Sequence, residues 1–219
     1  MWHQPIDALI NNVITGDCVT LMENLPPGSV DLIVTDPPYL TKYKDRKGRS
    51  FANDDNDRWL TGAYRQMYRV LKGHTFCVSF YGWSKAERFI RAWRAAGFSP
   101  VGHLIFVKGY RSHREPRFVA FHHEQAYLLV KGDPKPREIL GDVMEFKYTG
   151  NKYHPSQKPI EALEPLIRAY SDPDDVVLDP FCGSGATLLA AKKLRRRYIG
   201  YELVDNYARG ARFRLDRAR

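Results

Sequence analysis

Residues 176–191 read VVLDPFCGSGATLLAA. The apolar run VVLD suits a strand buried on both faces, and ATLLAA suits a helix. Between them, Gly183 and Gly185 permit backbone turns and close approaches that a side chain would block. The amides opening the helix point at whatever sits in the turn. The next apolar segment, RYIGYE at 197–202, ends on Glu202. An acid at the end of that strand can accept hydrogen bonds from both hydroxyls of a ribose. Strand, glycine turn, helix, strand and acid together describe a site for a nucleoside-bearing ligand. GSG alone is equally compatible with a tight turn and no ligand. GxxxxGK[ST] is absent, and the third glycine of GxGxxG falls on Leu188. The loop is therefore neither a phosphate loop nor a dinucleotide fingerprint.

Working outward, the same alternation covers most of the 219 residues. Strands are predicted at 11–17, 31–36, 74–80, 101–108, 124–131, 175–179 and 197–202. Helices are predicted at 18–25, 58–71, 84–96, 160–170 and about 186–194, with a last amphipathic helix from about 204. Pro165 should start or kink a turn within 160–170. Residues 132–158, rich in Pro and Gly, read as irregular. The fold class expected is α/β, a seven-stranded, mostly parallel sheet covered on both faces. The 124–131 segment follows its neighbour with no helix between and should be the one antiparallel strand. Residues 1–219 read as a single domain.

Ligands on such sheets sit beyond the carboxyl ends of the strands, and a second strand also ends in an unusual loop. DLIVTDPPY at 31–39 passes from a buried strand into Asp36, Pro37, Pro38 and Tyr39. Each proline forces the residue before it into an extended shape and removes a local N–H donor. Asp36 offers a carboxylate and Tyr39 a flat ring. Acceptors beside a stacking face suit a planar group that carries N–H donors, such as an exocyclic amine. That amine is a poor nucleophile while its lone pair is delocalised. Acceptors gripping its hydrogens favour a tetrahedral nitrogen and free the lone pair. A strand followed by a proline turn, with Asp36 as a cap, is the plainer alternative.

The formal net charge is +9, which favours a polyanionic partner such as nucleic acid. The charge gathers at 46–49 (RKGR), 108–117 (KGYRSHREPR) and 192–197 (KKLRRR); the second stretch adds Tyr110 and His113. No apolar run approaches a membrane span, and the first residues do not form a signal peptide. The three cysteines, Cys18, Cys77 and Cys182, are too far apart for a CxxC pair, and the histidines do not group with them as zinc ligands. Free buried thiols in a reducing cytosol are expected.

DPPY at 36–39, HPSQKP at 154–159 and DPFCGSGAT at 179–187, in that order, resemble the S-adenosylmethionine-dependent DNA amino-methyltransferases of the beta class. The likeness is to small plasmid- or phage-type adenine methylases and spans almost the whole chain. It implies a Rossmann-like class I methyltransferase fold with a circularly permuted motif order. It implies that Asp36 and the Pro37 carbonyl hold the target amine, that Pro38 shapes the loop, and that Tyr39 stacks on a base flipped out of duplex DNA. S-adenosylmethionine would be bound by Asp17 and Cys18, by Ser156, Gln157 and Lys158, and by Asp179, Phe181, Cys182, Gly183, Ser184, Gly185 and Thr187, with Glu202 on the ribose. Cys182 is expected as a filler rather than a nucleophile. No metal is needed, because the sulfonium already activates the methyl group. Lys42, Lys44, Arg46, Lys47 and Arg49, with Lys108, Arg111, Arg114 and Arg117, are expected to hold phosphates; a solvated surface is the alternative. Recognition loops are expected at 40–57, 108–123 and 132–153, reading a short or relaxed site. Trp83 is expected to pack in the core, with His122 and His123 as base or core contacts.

Asp36 favours N6 of adenine over N4 of cytosine, since serine is commoner at that place in the cytosine enzymes. An RNA base methylase and an inactive DNA-binding homologue are the weaker alternatives. A cytoplasmic, nucleoid-associated enzyme of a bacterium, phage or plasmid is expected. Pairing with a restriction enzyme, and a homodimeric state, stay open.

Overall fold

The computed structural model describes residues 6–41, 52–109, 118–147 and 157–218. Ser156, Lys42, Lys44, Arg46, Lys47, Arg49, Arg111, Arg114 and Arg117 lie outside the described residues. The strands are β1 (Asn12–Thr15), β2 (Val30–Thr35), β3 (Leu71–Phe80), β4 (Ser99–Lys108), β5 (His123–Lys131), β6 (Val143–Phe146), β7 (Val176–Asp179) and β8 (Arg197–Glu202). The helices are α1 (Cys18–Glu23), α2 (Arg58–Val70), α3 (Ala86–Ala96), α4 (Ile160–Tyr170), α5 (Ala186–Lys193) and α6 (Asp205–Arg217). No helix among them is long and apolar enough to cross a membrane.

The described strands form one sheet in the order β1-β8-β7-β2-β3-β5-β4-β6. All run parallel except β5, which is antiparallel to both β3 and β4. The sheet thus has eight strands rather than seven. The addition, β6, lies in the stretch expected to be irregular and pairs with the outer side of β4. The 132–153 segment therefore carries an edge strand as well as loop.

Alternation along the central strands explains the two covered faces. Leu32 and Val34 of β2, with Phe76, Val78 and Phe80 of β3, join the cluster under α4, α5 and α6. Ile33 and Cys77, between them in sequence, join the cluster under α1, α2 and α3. Side chains apolar at every position leave no face fit for water, so helices must cover both. Helix α4 continues through Pro165; the proline costs it one backbone hydrogen bond without ending it.

The chain leaves β7 through α5 to β8 on one side, and leaves β2 through α2 to β3 on the other. Strands β7 and β2 are direct neighbours, with Leu32 opposite Val177 and Ile33 opposite Leu178. The winding reverses between them, which opens a crevice at their carboxyl ends. The glycine loop and DPPY, far apart in sequence, both border this crevice. Helix α6 and strand β1, far apart in sequence, also meet. Arg212 of α6 donates from Nε to the Val13 carbonyl at 2.9 Å and from a terminal nitrogen to Thr15 Oγ1 at 2.7 Å, both in β1.

Candidate active site

Strand β2 delivers Asp36 to the carboxyl edge of the sheet, and the two prolines turn Tyr39 back over it. Tyr39 Oη donates to Asp36 Oδ1 at 2.7 Å. The Lys158 ammonium lies 2.9 Å from Asp36 Oδ2 and donates to Tyr39 Oη at 3.1 Å. Lys158 is buried, with its ammonium 4.8 Å from the centre of the Phe80 ring and 5.4 Å from that of Tyr39. Aromatic faces and two acceptors together make burial of this charge tolerable.

Glu124 completes the group. It lies 3.7 Å from Lys158 and accepts from Tyr39 Oη at 3.4 Å, while Lys108 pairs with its other oxygen. Sequence reading missed Glu124. It is the second residue of β5, and because β5 is antiparallel, its amino end meets the carboxyl ends of β2 and β3. An acid opening the one antiparallel strand was the available signal. Lys108, expected on phosphates, directs its ammonium at Glu124.

Burial pushes the Asp36 carboxyl above its ordinary range, against the pull of Lys158 and Tyr39. For Glu124, burial is the largest single influence and acts upward. Lys158 and Lys108, with hydrogen bonds from Lys108 and Tyr39, outweigh it and bring the carboxyl below its usual range. The Tyr39 hydroxyl is pushed far up by burial and by both acids, so it serves as a donor.

Across the crevice, β7 ends on Asp179, which is 3% exposed. Its Oδ1 accepts from Thr35 Oγ1 at 3.0 Å and from the Phe181 amide at 3.1 Å. Thr187 also hydrogen-bonds this side chain. Thr35, the residue just before DPPY, thus ties the two loops together; it too was missed. Burial raises the Asp179 carboxyl to about 7 despite these bonds.

Gly183 and Gly185 both have positive φ, 51° and 77°, and Gly185 caps α5. Glu202 Oε2 accepts from the Gly183 amide at 3.0 Å and Oε1 from the Val204 amide at 2.8 Å. The carboxylate is thereby held beside the glycine turn, its pKa raised by burial against those bonds. Phe181 is half-buried, edge-on to Trp59 at 4.9 Å between ring centres. Cys182, Ser184 and Thr187 are buried beneath the turn. Burial and the nearby Asp179 and Glu202 push the Cys182 thiol far up, which suits a filler rather than a nucleophile. Gln157 is half-buried and adjoins Lys158 at the entry to α4.

Two residues expected on the cofactor also have structural work. Asp17 caps α1, its Oδ1 accepting from the amides of Val19 and Thr20 at 3.0 and 3.1 Å. Cys18 opens that helix with its side chain in the core under α1, α2 and α3. Trp83 is a correction: it is 61% exposed rather than packed inside. It follows Gly82 at a corner where no helix or strand of the described residues covers it.

Gly82 itself supports the tyrosine. Its backbone has ordinary φ and ψ of −82° and 118°, yet a Cβ there would stand 2.7 Å from the Tyr39 carbonyl oxygen and 2.8 Å from Tyr39 Cβ. Gly82→Ala therefore meets backbone, which cannot rotate away. We expect about 1–3 kcal/mol of destabilisation and roughly tenfold slower catalysis from a displaced Tyr39. Thermal unfolding and initial rates measure the two effects.

Such a crevice, with a nucleoside-type glycine turn on one side and an acid–proline–aromatic loop on the other, defines a class I methyltransferase. A family model described as DNA methylase, of the N6/N4 type, matches residues 30–213, and the chain belongs to that family. It is 49% identical to YubD of Escherichia coli (strain K12), named as a methylase, over 94% of this chain and 90% of that protein. Among solved structures it is similar to the M1.HpyAVI–SAM complex, with a TM-score of 0.73 and 25% identity, covering 94% of this chain and 98% of that one. The cytosine-N4-specific PvuII DNA methyltransferase shares the fold, with a TM-score of 0.77 and 21% identity, over 92% of this chain and 85% of that one. The protein is an S-adenosylmethionine-dependent DNA methyltransferase of the class that modifies N6 of adenine or N4 of cytosine.

Proposed function

We propose that the chain methylates N6 of adenine in DNA, on a base flipped out of the duplex. The observation that carries this reading is Asp36 in DPPY, fixed at 2.7 and 2.9 Å by Tyr39 and Lys158. A carboxylate has about four lone-pair sites. These two contacts leave acceptor capacity for an incoming amine while holding the group in one orientation.

The residues present fit S-adenosylmethionine. Glu202, beside the Gly183 amide, offers acceptors for a ribose diol, and Asp179 offers a buried anion to a cationic ligand. Phe181, Gly183 and Gly185 would wall the cofactor, with Gln157 and Lys158 closing over its methionine end. When bound, the cofactor supplies a methyl group already activated by its sulfonium. Asp36 and the Pro37 carbonyl accept the two amine hydrogens and draw the nitrogen towards a tetrahedral form. Tyr39, its hydroxyl tied to Asp36 and Glu124, presents its ring to the flipped base and replaces lost stacking. Asp36, raised by burial, can accept the proton the methylated nitrogen gives up. Lys108 pairs with Glu124, Glu124 holds Lys158, and Lys158 in turn positions Asp36.

Nucleoside mass spectrometry of DNA from cells expressing the protein tests the base. N6-methyladenine is expected. N4-methylcytosine in its place would overturn the adenine assignment while leaving the Asp36 chemistry standing.

A further inference from the structure

Trp83 and Phe121 come from different connections and meet on the surface. Trp83 opens the short turn Trp83–Lys85 after β3, and Phe121 lies two residues before β5. Their rings stack at 29° with centres 5.5 Å apart, yet they remain 61% and 51% exposed. Phe118 and Val119, in the same connection as Phe121, are 85% and 61% exposed. Isolated exposed apolar residues need no explanation, but two large rings stacked on each other in the open mark a contact surface.

Its place identifies the partner. Gly82, next to Trp83, packs directly against Tyr39. The residue after Phe121, His122, accepts the Lys108 amide at 2.7 Å, beside Glu124. The pair therefore stands on the rim of the proposed base pocket. The connection from β4 to β5 also carries Arg111, Arg114 and Arg117 against a single acid, Glu115. Flat apolar faces in a protein of net charge +9, one of them in the connection that carries these arginines, suit a polyanion whose bases are accessible, because every base offers a face for stacking.

We propose that Trp83 and Phe121 form a stacking surface for the bases left exposed when the target nucleotide leaves the duplex. This rests on the flipped-base reading and adds a second aromatic site outside the pocket. Tyr39 would take the flipped base, and the pair would take its former neighbours in the stack.

The test compares binding to a duplex with a single abasic gap and to the same duplex intact, at several salt concentrations. The proteins are wild type, Trp83→Ala, Phe121→Ala and Trp83→Phe. Wild type should prefer the gapped duplex. Each alanine variant should lose roughly tenfold in affinity for it, with an unchanged salt slope because no phosphate contact is removed. Trp83→Phe should retain most of the preference. Unchanged cofactor affinity and melting temperature would show that the variants fold. A wild type indifferent to the gap overturns the proposal, as does an alanine variant that binds like wild type or one altered only in salt slope. A change of oligomeric mass in light scattering would instead assign the patch to a second copy of the chain and also overturn it. Absence of methyl transfer to DNA by wild type would strike the functional reading. Methyl transfer with Trp83→Ala binding normally would strike the stacking surface alone.

Discussion

Asp36→Ala should lower methyl transfer to DNA by about 10²–10³-fold, the usual cost of removing one preorganised group that acts on charge developing in the transition state. Cofactor affinity should hold, because Asp36 belongs to the β2 loop and not to the glycine turn. The fold should also survive. Breaking a buried ion pair costs about 3–5 kcal/mol when the remaining charge has no other partner. Here Lys158 keeps Glu124 at 3.7 Å and the Tyr39 hydroxyl at 3.1 Å. A loss of about 1–2 kcal/mol is therefore expected. Asp36→Asn should be no milder in activity despite its shape. Its amide oxygen can still accept from Tyr39, but its NH₂ then faces the Lys158 ammonium, donor against donor. Radiolabelled methyl transfer, calorimetric cofactor binding and thermal unfolding read the three quantities separately. Equal methylation by wild type and Asp36→Ala would remove Asp36 from the chemistry.

The place of Asp36 was largely legible in the sequence, and the reason is topological. A parallel sheet sends every strand's carboxyl end to one edge, so a strand ending in DPPY and a strand ending in DPFCGSG must arrive there together. Buried strands with uninterrupted apolar runs, such as VVLD and DLIVT, announced themselves. The short edge strand VMEF did not, because only Phe146 of its four residues is buried and prolines and glycines surround it. Glu124 was hidden for another reason: nothing in EQAYLLVK says that its first residue faces the site until the strand's direction is applied. Trp83 shows the limit of composition. A tryptophan near apolar strands is usually inside, but burial depends on what covers a corner, and local sequence does not contain that.

Asp179→Asn should stabilise the protein above neutral pH and weaken cofactor binding at the same time. In the folded protein this carboxyl titrates at about 7, against an ordinary 3.8. The folded state therefore keeps a proton that the unfolded state releases. Between those two values stability falls as pH rises, and above about 7 the penalty is complete and constant. The gap bounds the penalty at about 4 kcal/mol. Asparagine keeps an oxygen for Thr35 and the Phe181 amide and presents its NH₂ towards the Thr187 hydroxyl, so it removes the charge without orphaning these donors. A gain of about 1–3 kcal/mol at pH 8 is expected, a few degrees or more in melting temperature for a chain of this size. The difference should vanish below about pH 3, where the wild-type carboxyl is neutral in both states. A positively charged ligand reverses the balance, because it favours the ionised form. Wild-type affinity for S-adenosylmethionine should accordingly rise from pH 6 to pH 8 and then level off, with proton release detectable by calorimetry in buffers of different ionisation enthalpy. The variant should bind about 10–100-fold more weakly at pH 8, as for loss of a charged hydrogen bond, and its affinity should be flat with pH. A more stable variant that binds as well as wild type would show that Asp179 is ordinary buried structure. A less stable variant would show that Thr35 and Phe181 need the charge itself. The combination of higher stability and weaker binding would mean that the protein keeps a destabilising buried acid because the cofactor requires it.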